Sequence, residues 1–158
     1  MKYFIKQKIF SFKEDMYIKN ALDENAYFID SEFLSLGLNC KIFDINNNLK
    51  YSIKEKLLTF LSKYEIFNEN DELCAIVSQK MSLFKTKINI DCTFGNIYIE
   101  GDFLGLNYNI YVNETLAATV NKKFLSLSDT FEVDILFGDH AFIISLVSII
   151  DNIIDKNS

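Results

Sequence analysis

Residues 51–60 read Tyr-Ser-Ile-Lys-Glu-Lys-Leu-Leu-Thr-Phe, and this stretch is one of six related copies that decide the fold. Each copy ends in a quartet of apolar residues interrupted by one Ser, Thr or Gly. The quartets are IFSF (9–12), FLSL (33–36), LLTF (57–60), MSLF (81–84), FLGL (103–106) and FLSL (124–127). Their starts lie 24, 24, 24, 22 and 21 residues apart. A period of this size indicates a repeated supersecondary unit that cannot bury its apolar face alone.

Side chains alternate in character along the residues that precede each quartet. Three positions before the quartet every residue is polar, and one position before it every residue is charged. Four positions before it every residue is β-branched: Ile5, Ile29, Ile53, Val77, Ile99 and Val120. Alternation with a period of two predicts a half-buried strand with the β-branched side chains facing inward.

A second β-rich run follows each quartet, so that each copy predicts a hairpin. These runs are 16–18, 41–43, 64–66, 88–90, 108–111 and 131–133. Asn, Asp and Gly clusters separate the copies, at 23–25, 46–48, 68–71, 95–96 and 113–114, and these residue types tolerate the corners of tight turns. Six hairpins give twelve strands, and closure into a barrel removes the two exposed edges that an open sheet of this width would have.

A barrel of twelve strands is too wide for its own side chains to fill, and the end of the chain offers a filling. Residues 141–154 are apolar on nearly all sides, with a narrow polar stripe at Ser145, Ser148 and Asn152. Gly138 and Asp139 supply a plausible N-cap. As a helix the segment spans about 21 Å, short of the ~30 Å of a bilayer core, so the pattern favours a core helix.

The six quartets, the opening YFIKQK (3–8), KYEI (63–66), DTFEVDI (129–135) and the apolar terminal helix resemble the small bacterial members of the LURP-one-related (LOR) family. The resemblance implies the tubby C-terminal-like fold, a twelve-stranded barrel around a central hydrophobic helix. It covers the whole chain, yet it carries no catalytic signature. That superfamily includes phosphoinositide binders and resembles phospholipid scramblases, so the resemblance also suggests contact with lipid.

The fold prediction is therefore mainly β: a closed twelve-stranded antiparallel barrel of six hairpin repeats around a central C-terminal hydrophobic helix. With 158 residues, 49% of them hydrophobic, and no Pro, the chain indicates a single domain over 1–158. We expect strands over about 2–137 and the helix over about 139–154.

Charge and cysteine content narrow the class of protein. A formal net charge of −6 argues against general nucleic-acid binding, which depends on a basic surface. Cys40, Cys74 and Cys92 match no metal-ligand spacing and are interpreted as reduced thiols. The first residues alternate Lys with apolar side chains and lack an export segment. We expect a cytoplasmic protein with no transmembrane segment, and peripheral membrane contact stays an open alternative.

The search for catalytic chemistry gives negative expectations. His140 is the only histidine and lies where the last strand meets the helix, with no Ser or Asp spacing that indicates a triad. Glu69, Asp71 and Glu72 fit a solvated turn better than a metal site. We therefore expect no catalytic residue, no cofactor and no metal, and not an enzyme.

Two polar features recur at fixed positions of the repeat. Two positions before each quartet, on the inward parity, the residues are polar or small: Gln7, Ser31, Glu55, Gln79, Gly101 and Lys122. They mark either the mouth of the barrel or a bulge, or else a layer that contacts the helix stripe at Ser145, Ser148 and Asn152.

Outward-facing lysines form the second feature. Barrel closure should cluster Lys6, Lys8 and Lys123, and the neighbouring third and fourth units should cluster Lys54, Lys56 and Lys80. These lysines are either ordinary solvated strand faces or contacts for anionic lipid headgroups, to which each contributes about 1 kcal/mol. All 16 basic residues are Lys, so bidentate Arg grips on phosphate are unavailable.

Three function classes follow, of which a non-catalytic binding or scaffold module that contacts anionic membrane lipid or a protein partner is favoured. A carrier of an apolar ligand or lipid between barrel and helix is the alternative, and an enzyme is disfavoured.

Overall fold

The chain folds into twelve strands followed by one helix. The computed structural model describes residues 1–6, 16–32, 37–80, 87–102, 107–123 and 130–157, without the side chains of Lys122 and Lys123. The strands are β1 (Lys2–Lys6), β2 (Met16–Asn20), β3 (Asn25–Ser31), β4 (Asn39–Asp44), β5 (Leu49–Glu55), β6 (Lys63–Asn68), β7 (Leu73–Lys80), β8 (Lys87–Cys92), β9 (Ile97–Asp102), β10 (Asn107–Val112), β11 (Thr115–Lys123) and β12 (Thr130–Ile135). The helix α1 spans His140–Lys156.

The alternating pattern of the repeat forms the odd-numbered strands. Of the six β-branched residues, five are buried and Ile99 is half-buried. Ala75, Ala118 and Ile97, two positions earlier in their copies, are buried as well. In all six copies, the β-rich run that follows the quartet lies within an even-numbered strand, so the predicted hairpins are confirmed. The inward β-branched side chains pack against α1 because a pleated strand places alternate residues on one face.

The apolar quartets follow the odd-numbered strands and do not belong to them. Only LLTF at 57–60 lies within the described residues, where it forms the connection between β5 and β6. The other five copies, at 9–12, 33–36, 81–84, 103–106 and 124–127, lie outside the described residues.

The turns at the opposite end of the strands use polar side chains to hold the backbone. Asn20, Asp44 and Asn68 each end an even-numbered strand, and each side chain accepts hydrogen bonds from the backbone N–H groups two and four residues later. Residues with positive φ occupy these turns and the β10–β11 turn: Asp23, Asn47, Asp71, Asn113 and Glu114. The predicted Asn and Asp clusters therefore form the sharp corners that separate the repeats.

The strands make one antiparallel sheet that curls into a nearly closed barrel. Sequential strands pair from β1 to β8 and from β9 to β12, and the first strand pairs with the last from Lys2↔Asp134 to Lys6↔Thr130. The prediction that the last repeat returns beside the first is confirmed. Among the described strands, β8 and β9 have no ladder between them and form the two edges of the sheet. The barrel therefore has a seam at this position.

The terminal helix fills the barrel. Asp139 caps α1, since its carboxylate accepts a hydrogen bond from the Phe142 backbone N–H at 2.9 Å. Every residue from Ala141 to Ile154 is buried, so the core interpretation is confirmed. Each large apolar side chain in this segment contributes about 1.5–3 kcal/mol on burial. The helix extends two residues beyond its predicted end, to Lys156, which reaches the carboxylate of Glu55 in β5.

Two side chains of the polar helix stripe form hydrogen bonds, one within the helix and one to strand β6. Asn152 accepts a hydrogen bond from the Tyr64 hydroxyl of β6 at 2.8 Å, and the Ser145 hydroxyl donates to the Ala141 carbonyl at 2.9 Å. The Ser148 hydroxyl is buried and has no hydrogen-bond partner among the described residues. Of the two alternatives for the polar layer of the repeat, contact with this stripe does not hold for Glu55 and Gln79.

Glu55 and Gln79 instead meet the end of the helix. Glu55 binds Lys156, and the Gln79 amide donates to the Asn157 side chain at 3.4 Å. Both residues stand at the ends of their strands, level with the last helical turn, so their position fits the mouth of the barrel. Gly101 occupies the same position of β9 at φ +134°, where a Cβ would lie 2.6 Å from the Asn107 carbonyl oxygen. Gln7 and the side chain of Lys122 lie outside the described residues.

Candidate functional site: the lysine end of the barrel

An antiparallel meander gives the barrel two ends of different composition. The odd-numbered strands all finish at one end, which we call the lysine end, and the even-numbered strands finish at the other, which we call the acidic end. The helix begins at the acidic end and finishes at the lysine end, because Asp139 receives a hydrogen bond from Tyr51 near the start of β5 and Lys156 meets Glu55 at the finish of that strand.

Charged residues separate between the two ends. Counting the two strand residues nearest this end, the last two helix residues and the connections, the described lysines at the lysine end are Lys6, Lys54, Lys56, Lys63, Lys80, Lys87, Lys122, Lys123 and Lys156, and the described carboxylates are Asp30, Glu32, Glu55, Asp102 and Asp155. The acidic end has the carboxylates Asp23, Glu24, Asp44, Glu69, Asp71, Glu72, Asp91, Glu114, Asp134 and Asp139, with lysines Lys2, Lys19 and Lys50. The overall acidity of the chain therefore conceals a cationic end.

Two lysines of the lysine end lie directly opposite each other. Lys80 finishes β7 and Lys87 begins β8, and the two are Cα partners across the ladder. Both side chains are exposed, and neither forms an ion pair within the described residues. Like charges at directly opposed positions destabilise a sheet. The opposed pair therefore concentrates positive charge at the lysine end.

Lys54 and Lys56, the other two members of the predicted second cluster, have carboxylate neighbours. The Lys56 ammonium lies 3.1 Å from a Glu65 carboxylate oxygen, and the Lys54 ammonium lies 3.8 Å from Asp71 and 4.8 Å from the centre of the Phe67 ring. Lys54 therefore leans toward the acidic end, away from Lys80. Both lysines remain about half exposed. The structure brings Lys80 together with Lys87 more closely than with Lys54.

The first predicted cluster is described only in part. Lys6 and Lys123 are both Cα partners of Thr130, one on each side of β12. Two strand spacings, about 10 Å, therefore separate their backbones. Lys6 is exposed. Lys8 and the side chain of Lys123 lie outside the described residues.

Sequence reasoning missed three lysines of this end. Lys63 begins β6, Lys87 begins β8 and Lys156 finishes the helix. Lys156 lies near the negative end of the helix dipole, where a cation is favoured. The repeat alignment compared only residues upstream of the quartets, so it omitted the even-numbered strands. The hairpin register would have placed Lys87 opposite Lys80.

The described quartet adds exposed apolar surface to the lysine end. The Leu58 side chain is fully exposed, Phe60 is 89% exposed and Leu57 is 50% exposed. The two ends of this connection, which we call its neck, are joined by a hydrogen bond from the Lys56 backbone N–H to the Lys63 carbonyl oxygen at 2.8 Å. Leu58 has φ +63°. This left-handed conformation costs a bulky residue about 1–2 kcal/mol, so the exposed leucine lowers the stability of the fold.

Exposed apolar residues at the acidic end have different neighbours. Leu22 and Ile45 are 77% and 70% exposed, and both lie in turns beside carboxylates, Leu22 before Asp23 and Ile45 after Asp44. Hydrogen bonds from Asn48 hold the pKa of Asp44 below its usual range, so this carboxylate stays charged. Apolar exposure alone therefore does not distinguish the ends. The distinction lies in the charge that surrounds it.

The histidine and the three cysteines are at least partly buried in the fold. The His140 ring nitrogen Nδ1 lies 2.7 Å from the Tyr3 hydroxyl, and burial together with the N-terminal ammonium lowers the pKa of His140. Burial raises the pKa of the Cys40, Cys74 and Cys92 thiols. Within the described residues no group of three or more His, Cys, Asp or Glu side chains could hold a metal ion.

Across the described ranges, no helix is long and apolar enough to cross a bilayer.

Comparison with known proteins agrees on the fold. The structure superposes on an X-ray structure of the Arabidopsis thaliana protein AT5G01750 with a TM-score of 0.69 and 16% sequence identity, over 99% of this chain and 91% of that one. The chain is 27% identical over 147 residues to YxjI of Bacillus subtilis (strain 168), a protein described as uncharacterised, covering 93% of this chain and 89% of the relative. The LURP-one-related family profile matches residues 1–151. The chain belongs to the LURP-one-related (LOR) family.

Proposed function

We propose that this chain is a non-catalytic binding module whose lysine end contacts anionic phospholipid surfaces. The observation that carries the proposal is the opposed pair Lys80 and Lys87, exposed and without a carboxylate partner in the described part of the chain. An anionic surface relieves the repulsion between the two ammonium groups. Each lysine near a charged bilayer contributes about 1 kcal/mol.

The separation of charge gives this contact an orientation. An anionic membrane repels the acidic end and attracts the lysine end. The barrel therefore rests on the membrane with its axis roughly perpendicular to the membrane surface. Because every cation is a lysine, recognition rests on charge density rather than on bidentate phosphate binding. The module therefore discriminates anionic from zwitterionic surfaces more strongly than it discriminates among anionic headgroups.

Flotation with vesicles tests the proposal. The parent protein is expected to float with vesicles of equal parts phosphatidylcholine and phosphatidylserine and to stay behind with phosphatidylcholine alone. Added salt should reduce flotation steeply, since exposed charges more than about 8–10 Å apart are screened at physiological ionic strength. The reversals Lys54→Glu, Lys56→Glu and Lys80→Glu together should abolish flotation, and reversal of Lys6, Lys8 and Lys123 tests the other cluster.

Thermal unfolding of both reversed proteins serves as the control, because exposed ion pairs contribute about 0–1 kcal/mol. A parent protein that does not float with anionic vesicles, or reversals that both float normally, would refute lipid binding.

A carrier of an apolar ligand is the second candidate, and the seam between β8 and β9 favours it. Ile88 and Ile99 have the inward parity of their strands yet are only half-buried beside the seam. An apolar ligand could enter there if the two edge strands part. Native mass spectrometry of the purified protein should then show a bound lipid that is released on denaturation, and a ligand-free mass would refute the carrier.

A further inference from the structure

The β5–β6 connection gives the lysine end a feature that charge does not explain. We propose that Leu58 and Phe60 insert into the interfacial region of an anionic phospholipid bilayer while the surrounding lysines contact its headgroups. This inference rests on the proposed function and adds the depth and the anchor of the contact.

Exposure and position support insertion. Leu58 and Phe60 are the two most exposed large apolar side chains of the described residues, at 106% and 89%. Clustered apolar exposure in a folded protein marks an interaction surface. The connection lies between β5 and β6, with Lys56 and Lys63 at its neck and the Lys80–Lys87 pair on the next two strands.

Backbone conformation gives an independent argument. Leu58 stands at φ +63°, where Asn or Gly would be accommodated with less strain. At the acidic end the described positive-φ turn residues are Asp, Asn, Glu and Gly, and none of them is apolar and branched. A fully exposed leucine in this conformation costs stability and contributes no packing, so its value lies in a contact made outside the barrel.

The composition of the surroundings selects the occupant. Apolar side chains flanked by Lys56 and Lys63 match a bilayer surface, where headgroup phosphates lie outside the acyl chains. An apolar loop of this kind at the acidic end would meet repulsion from the same surface. We therefore assign an anionic bilayer as the binding partner of this connection. If the connection bound a protein instead, the vesicle experiments would be negative.

A single introduced tryptophan reports insertion directly, because the chain has none. Phe60→Trp places the reporter in the β5–β6 connection, and Leu22→Trp places a matched reporter at the exposed acidic end. With phosphatidylcholine–phosphatidylserine vesicles, the indole emission of the Phe60→Trp protein is expected to shift to the blue and to be quenched by brominated acyl chains. The Leu22→Trp emission should stay that of a hydrated indole.

A second variant tests the energetic role of the two side chains. Leu58→Asn combined with Phe60→Ser removes the apolar contact while Asn tolerates the left-handed backbone. Vesicle affinity should fall about tenfold or more, and the melting temperature should stay equal or rise. Unchanged affinity would overturn the insertion.

The two proposals fail in different ways. A parent protein that floats with anionic vesicles while Phe60→Trp shows neither a blue shift nor lipid quenching would overturn insertion and leave a purely electrostatic contact. Absence of flotation by the parent would overturn both. A blue shift in Leu22→Trp as large as that in Phe60→Trp would overturn the assigned orientation.

Discussion

The connections between strands differ in character at the two ends of the barrel. At the acidic end, short turns satisfy their backbone through Asn20, Asp44 and Asn68, and polar residues adopt the left-handed corners. At the lysine end, the described connection exposes Leu58 and Phe60 and places a leucine in that conformation. One end is arranged for folding, and the other accepts strain and like-charge repulsion. These local departures from folding rules are the observations on which the proposed membrane contact rests.

Removal of the helix, which joins the two ends, has the largest expected effect. Truncation after Asp139 deletes the nine large apolar residues of Phe142–Ile154, all buried, each worth about 1.5–3 kcal/mol against a typical domain stability of about 5–15 kcal/mol. The truncated chain should be insoluble or lack a cooperative unfolding transition by circular dichroism. A soluble truncation that unfolds cooperatively would show that the barrel does not need its filling.

Tyr64→Phe tests how the helix is anchored near the lysine end. The substitution leaves the buried Asn152 oxygen without the hydrogen bond that it receives at 2.8 Å, at a cost of about 1–3 kcal/mol in the free energy of unfolding. Urea denaturation measures the change. Tyr51→Phe is the matched variant at the acidic end, where the Asp139 carboxylate is part-buried and water can replace the lost donor. A larger loss for Tyr51→Phe than for Tyr64→Phe would reverse the expected order of the two anchors.

His140, at the acidic end, should make the free energy of unfolding depend slightly on pH. Its pKa is lowered by burial and by the N-terminal ammonium, so the unfolded chain binds the proton more readily than the folded one. Stability should therefore fall as the pH drops through the unfolded pKa of about 6.5 and reach its lower limit below the folded pKa. Melting temperatures between pH 7.5 and 5.5 should fall less in His140→Gln than in the parent. Parallel curves would show that this imidazole is not coupled to folding.

The fold could be predicted from the sequence because its information is periodic. Inward Ile53 and Val77, corners at Asn47 and Asp71, and the uninterrupted apolar run of the helix each specify local structure, and closure follows from β1 meeting β12. The seam could not be predicted, since β8 and β9 alternate as the other strands do. It depends on how the sheet curls around the helix.

The candidate site could be predicted only in part because charge position depends on register and side-chain direction. Lys56 and Lys80 occupy the same position of the repeat, yet Lys56 pairs with Glu65 while Lys80 faces Lys87. The exposure of Leu58 was missed for a related reason. An apolar quartet looks like core when its position relative to the end of the strand is unknown.

Charge reversal at matched positions tests the difference between the ends most directly. One protein has Lys54→Glu, Lys56→Glu and Lys80→Glu at the lysine end, and the other has Lys2→Glu, Lys19→Glu and Lys50→Glu at the acidic end. Both lower the formal net charge equally from −6, so any difference in flotation with phosphatidylcholine–phosphatidylserine vesicles reports position and not total charge. The account predicts that the first protein no longer floats while the second floats nearly as the parent does, with both folded by thermal unfolding. Equal flotation of the two folded variants would contradict it.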